Sequence, residues 1–285
     1  AMEAAAKADV VVMVMGLSPR LEGEEMEVPV EGFVGGDRIK LGLPRIQEEL
    51  LKKIQALGKP VVLVLLNGSA LAINGASQNV PAILEAWYPG QAAGRAIADV
   101  LFGDYNPAGR LPVTFYRTDD DLPPFSEYAM EGKTYRYFHK EPLYPFGFGL
   151  SYTTFAYSNL QVPSTVPSGE TFEISVVVEN TGKSAGGEVV QLYVSDVVAS
   201  VPVPIRSLQG FERIFLKPGK KKTVCFRLTP RQMSIIDEEG RRVVEQGIFK
   251  IAVGGGQPGV KTPGSDTAQV LVGQINIIGS PFFVE

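Results

Sequence analysis

A cluster of carboxylates stands out in the first part of the chain. Residues 20–38, RLEGEEMEVPVEGFVGGDR, contain five glutamates and one aspartate, with arginines only at the two ends. A carboxyl group can act as a general acid near neutral pH when burial or neighbouring carboxylates raise its pKa. The segment is therefore a candidate for a functional site, with Glu22, Glu24 and Glu25 as its densest group. A solvated acidic loop without chemistry is the alternative.

The acidic segment lies between a predicted strand and a predicted helix. Residues 8–16 form a continuous run of β-branched and methionine residues, which is typical of a strand buried on both faces. Residues 44–59 carry apolar side chains at helical spacing from Ile46 onwards, which predicts an amphipathic helix. Pro44 suits its first turn and Gly58 its C-terminal cap.

Further strands and helices alternate after this point. The sequence predicts a second buried strand over 60–68, a short strand within 82–90 and a helix over 90–103 that ends at Gly103. Such alternation predicts an α/β sandwich domain, a mostly parallel sheet with flanking helices. Ligands bind such sheets where loops leave the carboxyl ends of strands, and the acidic segment follows a strand in this way.

The sequence changes character after residue 104. Pro, Gly and aromatic residues are dense up to residue 155, which predicts an ordered connector. Short alternating runs follow, separated by turn signals about every ten residues and without a convincing helix, which predicts an all-β sandwich of immunoglobulin or fibronectin type. KPGKK at 217–221 is a predicted turn. The predicted domains are the α/β domain at 1–115, the connector at 116–155 and the β-sandwich at 156–285.

Charge and apolar runs argue against some partners. The net charge of −4 and the pI near 5.3 leave no basic surplus to neutralise phosphates, so no nucleic-acid partner is expected. Apolar runs reach only strand length, so no membrane partner or membrane-spanning segment is expected. The single cysteine, Cys225, is predicted to be a small core residue. The single histidine, His139, is predicted to lie in the connector or at the surface, and one residue of each kind does not suffice for a usual zinc site.

Several other motifs have plain interpretations. GGGQPG at 254–259 follows a predicted strand, but no helical sequence follows it, so a loop is predicted rather than a dinucleotide site. Asp37 and Arg38 are predicted to fix the acidic segment through an internal ion pair. Five aromatic residues are interpreted as packing at a domain interface, with stacking on sugars as the alternative: Trp87, Tyr88, Tyr135, Tyr137 and Phe138.

A set of longer motifs resembles glycoside hydrolase family 3. The motifs are GLSPRLEGEEM, GGDR, WYPGQAAGRAIADVLFGDYNPAGRLPVTF, EGKTYRYF and PLYPFGFGLSYTTF, in the family's order and over essentially the whole chain. The resemblance implies an N-terminal TIM barrel, an α/β sandwich domain and a C-terminal fibronectin type III-like domain. Only the second and third parts are matched, so we expect a C-terminal portion without the barrel.

The resemblance also implies an activity. Members are retaining, exo-acting β-glucosidases or β-xylosidases that release terminal non-reducing sugars from β-linked oligosaccharides. Their nucleophile is a barrel Asp and their acid/base a Glu on a loop of the α/β domain, two carboxyls that a retaining enzyme holds about 5–5.5 Å apart. The implied partners are an oligosaccharide substrate and an N-terminal TIM-barrel domain or subunit. No cofactor or metal is implied, and a periplasmic or secreted location is implied for a full-length bacterial protein. A non-catalytic carbohydrate-binding or scaffold module is the alternative.

The resemblance identifies the acid/base glutamate less directly. Some relatives place it in a Glu-x-x-Asp-Arg pattern, but Val34 stands three residues before Asp37, next to an apparent insertion. Other relatives carry a hydrophobic-Glu-x-Glu pattern, whose second Glu is the acid/base and which residues 21–24 fit. Arg20 and Arg38 are expected to hold non-catalytic carboxylates in ion pairs. The candidates are, in order, Glu24, Glu25, Glu22 and, under a different alignment of the insertion, Glu31.

Overall fold

The computed structural model describes residues 1–23, 25–35, 37–261 and 269–285, so Glu24, the first acid/base candidate, lies outside the described residues. The chain forms two compact units. The first comprises Ala1–Asp104, Thr114–Glu127 and Pro142–Tyr144, and the second comprises Tyr105–Val113, Tyr128–Glu141 and Pro145–Glu285. The segment 116–155 therefore belongs partly to each unit. The domain limits predicted from the sequence stay a prediction.

The first unit is built on a three-stranded parallel sheet with short helices beside it. Its elements are α1 (Met2–Lys7), β1 (Val11–Gly16), β2 (Phe33–Val34), β3 (Asp37–Arg38), α2 (Arg45–Gln55), β4 (Val61–Leu66), α3 (Asn74–Asn79), β5 (Ala82–Glu85), α4 (Ala93–Leu101) and a 3₁₀ turn (Asp119–Asp121). The sheet has the order β1–β4–β5, with parallel pairing throughout. The predicted α/β architecture is confirmed.

The central strand of this sheet carries the core. Leu63, Val64 and Leu65 of β4 are fully buried because β4 has a neighbour on each side. In β1 only alternate residues are buried, and Val12 and Val14 are more than half exposed. The prediction that this strand is buried on both faces is therefore wrong, because the described residues leave open the face that carries Val12 and Val14.

Helix α2 starts and ends close to the predicted positions. Pro44 directly precedes it, and Gly58 just beyond its end has a φ of +68°. Leu51 and Ile54 face the core, whereas Ile46 in the first turn is exposed, so the buried stripe is shorter than the sequence predicted. The helices in the described part of the chain are short, and none is long and apolar enough to cross a membrane.

The second unit is a β-sandwich. Its elements are α5 (Thr134–Tyr137), β6 (Phe155–Gln161), β7 (Thr165–Pro167), β8 (Phe172–Asn180), β9 (Gly186–Asp196), β10 (Ser207–Leu216), β11 (Lys221–Leu228), α6 (Pro230–Met233), β12 (Ile235–Ile236), β13 (Arg242–Val244), β14 (Gly247–Gly254), β15 (Val270–Ile278) and β16 (Phe282–Phe283). The main sheets have the orders β10–β9–β14–β15–β7 and β11–β8–β6, and a small sheet has the order β12–β13–β16. The predicted all-β sandwich is confirmed.

Inward-facing side chains alternate along the strands of the sandwich. In β11, Val224, Phe226 and Leu228 are buried in the core between the two main sheets. Cys225 lies between them on the opposite face and is exposed, so its prediction as a core residue is wrong. The reason is the two-residue period of a strand, which places Cys225 on the same side as Arg227.

The link between β10 and β11 is the predicted turn, in which Lys220 N donates to Lys217 O at 3.0 Å and Gly219 has a φ of +69°. The four-residue helix α6 contradicts the expectation that no helix lies beyond residue 155. Thr229 and Gln232 form a reciprocal capping box at its start. This local signal is present in the sequence, in TPRQM.

A buried ion pair ties the segment Tyr105–Val113 to the rest of the second unit. Arg110 Nη2 donates to Glu188 Oε1 at 3.0 Å, and the two side chains are 9% and 5% exposed. Burial raises the pKa of Glu188 above its ordinary value, and Arg110 offsets part of that rise. Leu111 N also donates to Phe148 O at 2.8 Å. Segments that are distant in the sequence are thus held together inside this unit.

Candidate active site

The carboxyl edge of the parallel sheet brings together the candidate residues of the first unit. Strands β1, β4 and β5 end there at Gly16, Leu66 and Glu85. The acidic segment follows β1, a polar stretch at 67–69 follows β4, and a Trp-Tyr pair follows β5. In an open parallel sheet this edge is the usual place for a ligand.

The end of β1 is fixed to helix α2. Gly16 has a φ of +135°, and a Cβ at this position would collide with the carbonyl oxygen of Leu66, so glycine is required. Gln47 of α2 donates from Nε2 to Gly16 O at 2.8 Å and accepts from Gly16 N at 2.8 Å. The two ends of the acidic loop, β1 and α2, are thereby joined.

Glu22 is held by a group of hydrogen-bond donors. Its Oε1 accepts from Ser69 Oγ at 2.5 Å and lies 3.8 Å from Arg38 Nη1. Its Oε2 accepts from the backbone N of Gly68 at 3.3 Å and from the hydroxyl of Tyr88. The side chains of Glu22 and Arg38 are only 17% and 11% exposed. We call these five residues the Glu22 cluster. In it, donors engage both carboxylate oxygens.

Arg38 connects the acidic segment to the loop after β4. It donates to Ser69 Oγ at 2.5 Å. It also donates to three backbone carbonyls, those of Lys40, Leu41 and Ala70. Burial lowers the pKa of Arg38, and the charge of Glu22 offsets part of this change. The expectation that Arg38 forms an ion pair is confirmed, but the carboxylate that it meets is Glu22, whereas Asp37 is exposed.

Glu25 and Glu31 have different surroundings from Glu22. Glu25 is exposed, and its φ of +52° lies in the left-handed region that few non-glycine residues adopt. Glu31 is also exposed and accepts from Lys40 Nζ at 3.1 Å. That hydrogen bond lowers the pKa of Glu31. A lowered pKa is the opposite of what a general acid requires.

Glu85 is a further carboxyl group at this edge, and the sequence analysis missed it. Its Oε1 accepts from Trp87 N at 3.1 Å and its Oε2 from Asn67 Nδ2 at 3.3 Å. Burial raises the pKa of Glu85 to about 7. Asn67 is fully buried and also donates to Ser69 O at 2.9 Å, which links Glu85 to the Glu22 cluster. The signal in the sequence is a lone acidic residue at the end of an apolar strand.

Aromatic residues named in the sequence analysis take packing roles in their own units. In the first unit, the rings of Trp87 and Phe115 meet edge to face with centroids 6.0 Å apart. In the second, Tyr135 stacks on Phe146 at 4.1 Å, and Phe138 is buried. These contacts lie within a single unit, so the interpretation as packing at a domain interface stays a prediction.

His139 and the glycine-rich motif have the surroundings that the sequence predicts. His139 is exposed in an irregular segment. GGGQPG begins at the last residue of β14 and continues as bends and turns, which agrees with the predicted loop. Among the residues that the structure describes, no group of three or more His, Cys, Asp or Glu side chains is arranged to hold a metal ion.

Comparison with known proteins relates both units to one family. The family model of the glycosyl hydrolase family 3 C-terminal domain matches residues 1–152, and that of the fibronectin type III-like domain matches residues 188–257. The chain is 46% identical, over 80% of its length, to a xylan 1,4-beta-xylosidase from Xylanibacter ruminicola, of which it covers 26%. It is 45% identical, over 89% of its length, to a beta-xylosidase from Formosa agariphila, of which it covers 35%.

A solved structure gives the same relation. A beta-glucosidase from Erythrobacter marinus superposes with a TM-score of 0.83 at 37% identity, and the match covers 97% of this chain and 35% of that protein. The chain therefore spans from about a quarter to about a third of the length of these relatives.

Proposed function

Because the chain belongs to glycoside hydrolase family 3, we propose that it is the C-terminal part of a retaining, exo-acting β-glycosidase and supplies the general acid/base glutamate. The activity is that of a β-glucosidase or β-xylosidase, which releases terminal non-reducing sugars from β-linked oligosaccharides. The observation that carries the proposal is the acidic segment, anchored at the carboxyl edge of the parallel sheet by the Glu22 cluster. A scaffold module has no use for such a set of carboxylates.

The reaction has two steps in this proposal. In the first, the glutamic acid gives its proton to the glycosidic oxygen while an Asp of the N-terminal TIM barrel attacks the anomeric carbon and the glycosidic bond breaks. In the second, the glutamate takes a proton from water, whose oxygen displaces the Asp from the sugar. The barrel, as a domain or a separate subunit, and the oligosaccharide are thus the proposed partners.

We assign the acid/base role to Glu24 first and to Glu25 second. Glu22, the third candidate, has both oxygens engaged by donors, which suits an anchor better than a proton donor. Glu31 is held by Lys40 in an exposed ion pair. Glu24 and Glu25 follow Glu22 by two and three residues in the sequence.

Leaving-group dependence in the complete enzyme tests this assignment. A general acid contributes about 10²–10⁴-fold when the leaving group is poor. Glu24→Gln should therefore lower kcat/KM on cellobiose or xylobiose by about that factor, and change kcat/KM on dinitrophenyl glycosides much less. Azide should restore turnover of the glycosyl-enzyme. Glu27→Gln is the matched control, because it makes the same substitution at an exposed position of the segment. It should leave the rates on both substrates unchanged.

Two results would change the proposal. If Glu25→Gln shows the selective loss and Glu24→Gln is fully active, the role belongs to Glu25. If neither variant shows it, the segment is not catalytic and the non-catalytic module is favoured.

Reconstitution from two parts tests the division of labour. This chain should hydrolyse p-nitrophenyl β-glucoside or β-xyloside only when mixed with the matching barrel, and the better substrate identifies the sugar. Hydrolysis by the chain alone would require a nucleophile in this chain and would contradict the proposal.

A further inference from the structure

Tyr88 reaches the acidic segment from the loop after β5, the strand at the opposite edge of the sheet from β1. It follows β5, whereas Glu22 follows β1, and 66 residues separate them in the sequence. Its hydroxyl donates to Glu22 Oε2, the same oxygen that accepts from Gly68 N. A Cβ on Gly68 would lie 2.8 Å from the Tyr88 ring, so the ring passes directly over the backbone of this glycine.

The backbone before Tyr88 is held in an unusual conformation. Trp87 has a φ of +55°, which is rare for a bulky residue and persists only where the surroundings hold it. Two contacts do so, the hydrogen bond from Trp87 N to Glu85 and the edge-to-face contact with Phe115. These contacts define the direction in which the chain leaves β5 towards Tyr88. Tyr88 itself is 43% exposed.

We propose that Tyr88 is a positioning residue, which holds Glu22 and thereby fixes the start of the acidic segment that carries the acid/base glutamate. This inference rests on the proposed function. Burial raises the pKa of Tyr88, and the hydrogen bond to Glu22 raises it further, so the hydroxyl keeps its proton and remains a donor.

The expected effect follows from the strength and the place of this contact. Hydrogen bonds to a charged acceptor are roughly twice as strong as those between neutral groups. A misplacement of about 1 Å in a catalytic group can cost about 10²-fold in rate. Arg38, Ser69 and Gly68 still hold Glu22 when the Tyr88 hydroxyl is removed, so we expect a loss of about 10- to 100-fold rather than inactivity.

Tyr88→Phe in the complete enzyme tests the inference, because it removes only the hydroxyl. Loss of folded protein lowers the rate on every substrate by one factor. A misplaced general acid instead lowers the rate where the leaving group needs a proton. We expect kcat/KM on cellobiose or xylobiose to fall about 10- to 100-fold, with little change on a dinitrophenyl glycoside. Equal effects on both substrates, or none, would overturn the inference.

Two further variants complete the experiment. Tyr105→Phe is the matched control, because Tyr105 is half-exposed in the second unit and its hydroxyl accepts from Arg213 at 3.4 Å, so the ratio of the two rates should not change. Ser69→Ala removes the donor to the other oxygen of Glu22 and should show the same selective loss. Should Tyr88→Phe not fold, the result for Ser69→Ala decides.

The reference variants separate this inference from the proposed function. If Glu24→Gln or Glu25→Gln shows the selective loss while Tyr88→Phe and Ser69→Ala do not, the inference fails and the proposed function stands. If neither glutamate variant shows the selective loss, the proposed function fails, and the inference that rests on it fails as well.

Discussion

Replacing Arg110 by methionine would leave the buried carboxylate of Glu188 without its cation. The pair has a nitrogen–oxygen distance of 3.0 Å and side chains that are 9% and 5% exposed. Methionine keeps most of the aliphatic volume, so the change removes charge and hydrogen bonds rather than packing. The backbone N of Val189, 2.9 Å from the same carboxylate oxygen, remains as a donor.

The magnitude follows from the distance and the burial. Two unit charges at this distance attract by about 5–6 kcal/mol at an effective dielectric constant of about 20. Breaking a buried pair by removing one partner costs about 3–5 kcal/mol. We therefore expect Arg110→Met to lower the free energy of unfolding of the second unit by about 3–5 kcal/mol near pH 8. For a unit of this size, Tm should fall by about 6–20 °C.

The loss should depend on pH in a defined direction. Burial raises the pKa of Glu188 in the folded state, and removal of Arg110 raises it further. A carboxyl with a raised folded pKa favours folding while it is protonated, and that contribution disappears as the pH rises through the folded pKa. The difference between the wild type and Arg110→Met should therefore be larger at pH 8 than at pH 5.

Calorimetry at these two pH values measures the effect, and the emission of Trp87, the single tryptophan, reports the first unit separately. Arg241→Met is the control, because the Arg241 side chain, which pairs with Asp237 and Glu239 in the same unit, is 56% exposed and should matter much less. The double variant Arg110→Met, Glu188→Leu should recover most of the loss, since no charge stays buried. A loss as small as that of Arg241→Met at pH 8 would refute the reasoning.

Three other predictions concern single residues. Burial raises the pKa of Glu85 to about 7, so the wild type should lose about 3 kcal/mol of stability as the pH rises from about 4.5 through 7. Glu85→Gln should flatten this dependence when urea titrations measure the free energy of unfolding at pH 5 and pH 8. An equal change between the two pH values in the wild type and in the variant would contradict the prediction. Gly68→Ala should displace the Tyr88 ring from Glu22 and reproduce the selective loss of Tyr88→Phe, whereas an unchanged ratio of the two rates would argue against the contact. Cys225 is exposed and should react with Ellman's reagent in the native protein, while protection until unfolding would place it in the core.

The parts of the fold that the sequence predicts well depend on local signals. The apolar run of β4 indicates a buried strand, and it is the central strand of the sheet. Gly58 and Gly103 mark the ends of α2 and α4, and both have positive φ angles, which a side chain would disfavour. Such features need only neighbouring residues, so periodicity and capping suffice to find them.

The failures concern information that lies further away along the chain. The exposure of Val12 and Val14 depends on which elements cover that face of the sheet, which the sequence of β1 does not contain. The exposure of Cys225 is different, because it shares a face with Arg227 and the alternation in the sequence was sufficient to predict it. Glu85 became a candidate only once β5 was paired with β4.

The candidate site also has features that the sequence predicts and features that it does not. The acidic character of the segment after β1 is evident from the sequence, and so is the need for an arginine to hold part of it. The choice of Glu22 as the partner of Arg38 is not, because Ser69 and Tyr88 reach Glu22 from the loops after two other strands. Which glutamate serves as the acid/base stays a prediction for Glu24 and Glu25.

The hydrogen bonds between Gln47 and Gly16 have a consequence for how this loop can evolve. Since they join the last residue of β1 to α2, the loop between them begins and ends at nearly the same point of the sheet. The entropy cost of closing such a loop grows by only about 0.6 kcal/mol for each doubling of its length. Insertions and deletions between the two joined ends therefore leave the register of the strands intact. A change in loop length can therefore alter how far a carboxylate extends beyond the edge of the sheet while the sheet itself stays the same.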